Sequence, residues 1–532
     1  MNASGLGTFN LNEILDHAAL THPVKDALVM DDRRLSYDEL RREVLAAALG
    51  FDQRGIARGD RVAIVLRNGF EFVVSYFALV RLGAVAVPIN FMIQKEEELA
   101  YLLSDSRAKG IVVHADFLPG VRKAAARASI ERLWIVGLAS RELRAGEEEW
   151  RALTERGFPV EFPAVGEEEP AAILYTSGTT GNPKGAVLSH KNIASNALSG
   201  REALGLSSSD VFLVLLPMFH SFSWTANVVT GLALGAKLVV CESVTPAKPW
   251  LAAMSREGVT LFSAIPPVYA LLSREARGVK GFFLRHWFFR KVRMAISGAA
   301  PLGLSILADF ERALGVPLLE GYGLTETSPV VSVNTLKARK PGSVGPLFPG
   351  VEVQIWDESG APLPPEAEGE VAVRGNNVML GYFGNPQATA EAITPEGWFR
   401  TGDIGVLDSQ GFLFIRDRKK DMIIVKGLKV FPAQVESVLQ THPAVEEAAV
   451  VGLPSGQGNE IIQAFVVLKR GAQADKASLL AFCREKLDPY KRPRDVEILA
   501  SLPKNSIQKV LKRELRDRYL EGAARSAAGA GP

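Results

Sequence analysis

The sequence predicts an α/β protein: a large N-terminal region of helix-covered parallel sheets, a small β-barrel at its end, and a small α+β C-terminal domain. Three observations carry this. Short apolar runs alternate with stretches of helical spacing from residue 27 to residue 296, the signature of βαβ units. Past Pro341 the runs shorten and are broken by glycine and proline, as in a barrel or sandwich. Beyond the charge cluster Arg416-Asp417-Arg418-Lys419-Lys420-Asp421 a second α/β alternation begins, long enough to fold alone.

In chain order, residues 10–18 have helical spacing. Residues 27–30 followed by Asp31-Asp32 predict a hairpin, and Ser36 with Glu39 three residues on is a capping-box pattern opening a helix to about Phe51. Strands are expected over 62–66, 84–88, 111–113 and 133–136, an amphipathic helix over 71–82 and a further helix over 96–104. The acidic triplets 96–98, 147–149 and 167–169 read as solvated faces. The second α/β region has strands over 211–216, 237–240, 261–265 and 292–296 and a helix over 249–257. Residues 211–236 lack Asp, Glu, Lys and Arg, yet Pro217, His220, Asn227 and several hydroxyls would go unsatisfied in lipid, so a buried strand, a loop and a buried helix are predicted instead. The barrel, from about residue 331, takes strands 351–356, 369–374, 405–407 and 412–415. The last domain takes helices 432–439 and 477–486 and strands 445–452, 461–468 and 495–498. Residues 523–532 are small and polar, a disordered tail by composition.

The bulk properties are those of an ordinary soluble protein, 47% hydrophobic and 23% charged. A formal charge of +2 gives no global attraction to nucleic acid. Cys241 and Cys483, the only two cysteines, lack CxxC or His-rich context; no disulfide framework or zinc site is indicated, and a cytoplasmic location fits, as does the absence of a signal-peptide pattern after Met1.

Chemistry concentrates first in Thr176-Ser177-Gly178-Thr179-Thr180-Gly181-Asn182-Pro183-Lys184-Gly185, directly after the buried run 171–175. Glycines let backbone N–H groups turn toward a ligand, hydroxyls bond phosphate oxygens and Lys184 offsets their charge, a combination suited to a polyphosphate. It is not a Walker A loop, because Lys184 follows Pro183 and precedes Gly185. Further along stand Ser297-Gly298-Ala299-Ala300-Pro301, Glu320-Gly321-Tyr322-Gly323-Leu324-Thr325-Glu326-Thr327, Trp398-Phe399-Arg400-Thr401-Gly402-Asp403 and Pro503-Lys504-Asn505-Ser506-Ile507-Gln508-Lys509.

In that order and spacing the motifs resemble the adenylate-forming superfamily of acyl-CoA synthetases, nonribosomal adenylation domains and luciferases, most of all a bacterial medium- or long-chain fatty acyl-CoA synthetase, over nearly the whole chain. The resemblance implies an N-terminal domain over 1–416, a hinge over 417–420 with Lys420 at the hinge position, and a mobile C-terminal domain over 421–522. It implies ATP, Mg²⁺ and coenzyme A as cofactor and substrates: a carboxylate attacks the α-phosphate to give acyl-AMP and pyrophosphate, and a thiol then takes the acyl group. Thr176, Ser177, Gly178, Thr179, Thr180, Gly181 and Lys184 would hold the β- and γ-phosphates. Glu326 would bind Mg²⁺, and Thr325 would bond the α-phosphate and the substrate carboxylate. Gly298, Ala299, Ala300, Gly321, Tyr322 and Gly323 would line the adenine slot, with Asp403 on the ribose and Arg418 beside it. Lys509 matches the catalytic lysine, although the preceding residue is Gln508 where the family usually has glycine; if the loop needs positive φ there, this costs about 1 kcal/mol or more. Gly427, Leu428 and Lys429 match the loop that meets the pantetheine arm. His220, Phe222, Trp224 and Gly298 match the acyl pocket, with His220 beside the acyl carbonyl and Trp224 at a gate position.

Residues 281–293 interleave aromatic and basic side chains, as in interfacial membrane binders, but on a helical wheel the arginines scatter among the aromatics; the reading is a helix packing on the main domain with a basic rim, with peripheral membrane contact as the alternative. The other partners expected are small-molecule substrates, with a homodimer left open and no nucleic acid. The rival readings are an acyl-AMP ligase loading a carrier protein, a CoA ligase for an aromatic or alicyclic acid, a luciferase-like oxygenase and a relative that binds without turnover. A hydrolase finds no G-x-S-x-G.

Overall fold

Two eight-stranded sheets dominate the first of two compact units into which the chain divides. The computed structural model describes residues 8–138, 143–155, 162–176, 182–425, 428–456, 459–504 and 510–528. The first unit comprises Met1–Leu302, Ile306–Val353 and Val373–Arg400, and the second Gly303–Ser305, Gln354–Ala372 and Thr401–Pro532.

One sheet runs in the order Gly381–Tyr382, Lys184–Ser189, Pro170–Thr176, Val85–Pro88, Arg61–Val65, Ala108–His114, Leu133–Val136, Glu147–Glu149. Its middle is parallel, and Pro170–Thr176, Lys184–Ser189 and Gly381–Tyr382 form an antiparallel edge. The other runs Val330–Val333, Leu318–Gly323, Met294–Ser297, Leu261–Ala264, Val211–Val214, Lys237–Val240, Asp26–Met30, Arg33–Ser36, again parallel in the middle. The capping box forms as expected: Ser36 Oγ accepts from Glu39 N, and Ser36 N donates to Glu39 Oε2 at 2.8 Å, opening the helix Tyr37–Gln53.

Three local expectations need correction. Helix Phe70–Arg81 is not amphipathic; Phe70 and every residue from Phe72 to Val80 are buried, because the helix lies inside the core rather than on its surface. The acidic triplets are not plain solvated faces: Glu147 Oε2 takes Arg122 at 2.6 Å, Glu167 Oε1 accepts from Phe9 N at 2.8 Å, and Glu169 pairs with Arg58. The buried segment after Val211–Val214 is in large part a π-helix, Phe222–Val229, where Thr230 Oγ1 donates to Thr225 O at 2.8 Å and Ser223 Oγ to Leu216 O at 2.6 Å. No helix among the described residues is long and apolar enough to cross a membrane.

A five-stranded sheet runs in the order Gly345–Pro346, Phe412–Arg418, Phe399–Leu407, Glu368–Gly375, Val351–Trp356, and an α+β arrangement in the second unit follows it in the chain. There Val445–Gly456 and Asn459–Leu468 pair antiparallel, Asp495–Ile498 adds in parallel, and helices Pro432–Gln440 and Lys476–Lys486 contribute Val435, Leu439, Leu479 and Cys483 to their core. The last helix, Lys512–Ala528, continues through the first part of the tail expected to be disordered; Ala523, Ala524, Ala527 and Ala528 are strong helix formers.

Candidate active site

The hydroxyl-glycine loop joins the two antiparallel strands Pro170–Thr176 and Lys184–Ser189, whose register sets Thr176 opposite Lys184. Ser177, Gly178, Thr179, Thr180 and Gly181 lie outside the described residues; Thr176 and Lys184 mark where the loop leaves and returns. Ser189 and Asn192 cap the helix that follows, and Asn192 Nδ2 donates to Asn376 O and Val378 O at 2.8 Å. The segment reached in this way then adds the short strand Gly381–Tyr382 to the loop's return strand, with Phe383 N donating to Gly185 O at 2.8 Å.

Tyr382, which no motif had marked, sits between two expected site residues. Its Oη donates to Glu326 Oε1 at 3.1 Å, and Lys184 Nζ lies 5.1 Å from its ring centroid. Glu326 belongs to the 3-10 turn Thr325–Thr327, and Met379 N donates to its carbonyl at 2.9 Å. Gly323 is obligatory just before that turn, since a Cβ there would stand 1.9 Å from Pro329 O.

The adenine-slot candidates emerge together at one end of the second sheet. Met294–Ser297 and Leu318–Gly323 are adjacent parallel strands with Ser297 opposite Glu320, so Gly298-Ala299-Ala300 and Gly321-Tyr322 follow in step, at the strand ends where open α/β sheets bind ligands. Ala299 holds φ +67°, a left-handed conformation unusual for alanine that costs on the order of 1–3 kcal/mol. Ser297 Oγ is buried without a hydrogen-bond partner among the described residues. Glu320 is buried; desolvation pushes its carboxyl up to about 7, against the bond it accepts from Leu302 N at 2.9 Å.

Of the acyl-pocket candidates, Phe222 and Gly298 touch: a Cβ on Gly298 would meet the Phe222 ring at 3.2 Å, so glycine keeps that face open to the ring. His220 lies against Phe219 with ring centroids 4.3 Å apart and the planes tilted by 43°. Burial pulls its imidazole down to about 4, so it is neutral at physiological pH, and Nε2 has no partner among the described residues. Trp224 is 2% exposed, packed against Tyr76 at 4.2 Å and near Phe72 and Phe77; it belongs to the core of the first unit.

In the second unit, Asp403 and Arg418 pair in register and by a 3.1 Å ion pair to Arg418 Nε, with Asp403 buried. Lys420 lies in the 3-10 turn Lys419–Asp421; the preceding Asp417 accepts from Ala433 N at 2.8 Å, and Lys419 pairs with Glu370. Leu428 and Lys429 open the strand Leu428–Val430, exposed, with Lys429 Nζ 2.8 Å from Glu358. Gly427, Gln508 and Lys509 lie outside the described residues.

Among the described residues no cluster of three His, Cys, Asp or Glu side chains could cage a metal by itself. Glu326 nevertheless suits Mg²⁺, which is commonly held by one or two carboxylates together with substrate phosphates: it is a hard oxygen donor with one oxygen on Tyr382 and no described residue bonded to the other.

The AMP-binding enzyme family model matches residues 15–383, and the AMP-binding enzyme C-terminal domain matches residues 434–509. The long-chain-fatty-acid–CoA ligase of Bacillus subtilis (strain 168) is 32% identical over 544 residues, covering 96% of this chain and 95% of that protein. A feruloyl-CoA synthase of an Amycolatopsis species is 33% identical over 521 residues, covering 98% and 100%. ATP-bound MatB from Rhodopseudomonas palustris superposes with a TM-score of 0.87 at 31% identity, covering 96% of this chain and 99% of that one. With both family models matched in order along the chain, and relatives above 30% identity over nearly its full length, the chain belongs to the AMP-binding enzyme family, and with it to the adenylate-forming superfamily.

Proposed function

We propose that the protein is an AMP-forming acid–CoA ligase that activates a fatty acid of medium or long chain. One carboxylate oxygen attacks the α-phosphate of ATP and pyrophosphate leaves; the thiolate of coenzyme A then attacks the acyl carbonyl and AMP leaves. The first step sets an anion against a polyanion, so alignment and charge neutralisation supply most of the catalysis. The observation that carries this reading is the cluster Lys184–Tyr382–Glu326 beside the loop strands.

The roles are those that the family resemblance implies for these residues. Thr176, Lys184 and the loop between them grip the β- and γ-phosphates, and Thr325 orients the α-phosphate and the acid. Glu326 holds Mg²⁺, which when bound neutralises phosphate charge. Asp403 accepts from the ribose hydroxyls with Arg418 fixing it, Lys509 serves the first half-reaction, and the loop at Gly427 serves the second after rotation about Lys420. Neutral His220 stands at the acyl carbonyl, and Phe222 and Gly298 shape the entry of the chain. The names of relatives such as the B. subtilis ligase favour a fatty acid; the feruloyl-CoA synthase favours the second reading, an aromatic acid. Pyrophosphate release over straight-chain and aromatic acids, with CoA, without acceptor and with a holo-carrier protein, tests both. Thioester formed only on the carrier, or turnover of aromatic acids alone, would sink the fatty acyl-CoA reading.

Peripheral contact with an anionic membrane belongs to the same proposal. Helix Gly278–Phe283 and the π-turn Leu284–Phe288 turn Val279, Phe282, Phe283 and Trp287 outward, each at least half exposed, among exposed Arg277, Lys280, Arg285, Arg290 and Lys291. Leu284 and Phe289 anchor the segment in the core. Apolar rings within a cationic border suit a lipid surface of negative charge. A Phe282→Ser/Trp287→Ser variant should lose sedimentation with phosphatidylglycerol vesicles; equal partitioning with wild type would refute the contact.

A further inference from the structure

Tyr382 is fastened to the candidate site through both its backbone and its side chain. Its backbone N donates to Thr389 Oγ1 at 2.9 Å, and its strand pairs with the return strand of the phosphate loop, Tyr382 opposite Ala186. Three residues earlier in the chain, Met379 N grips the Glu326 carbonyl. The side chain then completes a bridge: the phenol donates to the Glu326 carboxylate, and the ring face lies under the Lys184 ammonium. A phenol is protonated at neutral pH, so Oη is the donor to the carboxylate.

We propose that Tyr382 is a positioning residue that sets the cation-holding carboxylate of Glu326 and the phosphate-binding ammonium of Lys184 at a fixed separation before ATP arrives. The proposal rests on the roles given above to those two residues. The hydrogen bond occupies Oε1 and leaves the other oxygen, Oε2, to the cation that Glu326 would hold; a partner behind a metal-binding carboxylate typically changes metal affinity about 10–100-fold. The ring offers Lys184 a cation–π seat that holds the amine without neutralising it, leaving its charge for phosphate. One side chain therefore serves both charges, and its two contacts can be removed separately.

The test uses the full chain and binding as well as turnover. Mn²⁺ binding in the presence of ATP, followed by electron paramagnetic resonance, should weaken about tenfold in Tyr382→Phe, while ATP affinity without divalent cation stays within about twofold because the ring remains. Tyr382→Leu should weaken both. Tyr382→Phe added to Glu326→Gln should cost nothing further in Mn²⁺ binding, since the bond already lacks its charged acceptor. Conversion of preformed acyl-AMP to thioester and the unfolding midpoint of Tyr382→Phe should match wild type. Wild-type Mn²⁺ binding in Tyr382→Phe, or an equal loss with and without Glu326→Gln, overturns the proposal. If Tyr382→Leu does not fold, the Phe variant and the double variant still decide. Failure of the wild type to activate any acid would sink the proposed function, yet leave the Mn²⁺ measurements to judge Tyr382.

Discussion

The side of the site proposed for phosphate and the side proposed for adenine and the acyl group are built in opposite ways. Around Lys184 the described polar groups are engaged: Thr176 lies opposite Lys184 in register, Lys184 lies over Tyr382, and Tyr382 donates to Glu326. At the ends of Met294–Ser297 and Leu318–Gly323, Ala299 is left-handed, Ser297 Oγ and His220 Nε2 are buried without partners among the described residues, and the Glu320 carboxyl is pushed toward neutrality. The first arrangement is preorganised for charge, because fixed donors and cations act most strongly when they need no reorganisation. The second holds strain and unmet hydrogen bonds, the kind of reservoir found where a ligand or a moving step completes the structure.

The contrast can be broken from its strongest end. Lys184→Ala should lower ATP-dependent pyrophosphate release by about 100-fold, in the range seen when a positioned charge is removed, and leave transfer from preformed acyl-AMP within about twofold. Parallel assays of the two half-reactions check this, and an equal loss in both would mean that Lys184 serves more than the phosphates.

Glu320 sharpens the other side. Its pKa is raised from an unfolded value of 4.5 to about 7 by burial, so the folded protein binds the extra proton. The contribution is complete below pH 4.5 and is lost as pH rises through 7, on the order of 2–3 kcal/mol in all. Glu320→Gln, which keeps the acceptor to Leu302 N and removes the charge, should cancel that part of the fall in stability between pH 5 and pH 8. Urea unfolding at both pH values measures it, and an unchanged pH slope would place the titration elsewhere.

The smallest effect is at Ala299. Replacement by glycine should relieve the left-handed strain and raise stability by about 1 kcal/mol, offset in part by the greater entropy of the unfolded chain. Calorimetric melting reads the change. A loss of stability would mean that the Ala299 methyl makes a packing contact worth more than the strain.

What was legible in the sequence was what short-range chemistry writes. The Ser36–Glu39 capping box, the strand–loop–strand around Thr176 to Lys184, the glycine turn before Glu326 and the Asp403 strand follow from residues within a turn or two of one another. The motif order also carried the family. The loop interior, Gly427 and Lys509 were legible as motifs and lie outside the described residues.

Other features arose only in three dimensions. Helix Phe70–Arg81 has a surface helix's spacing at its ends but is buried along its length by neighbours far away in sequence, and Trp224 is held in the core by three aromatics from that helix. Tyr382 is the clearest case. Nothing local distinguishes it from any other tyrosine in a two-residue strand; it joins the site because Gly381–Tyr382 pairs with a strand nearly 200 residues earlier, placing one phenol between Lys184 and Glu326. Turn, cap and strand propensities depend on neighbouring residues and are determined by sequence alone. Which distant strands share an edge depends on how the two sheets pack, and that pairing made Tyr382 part of the site.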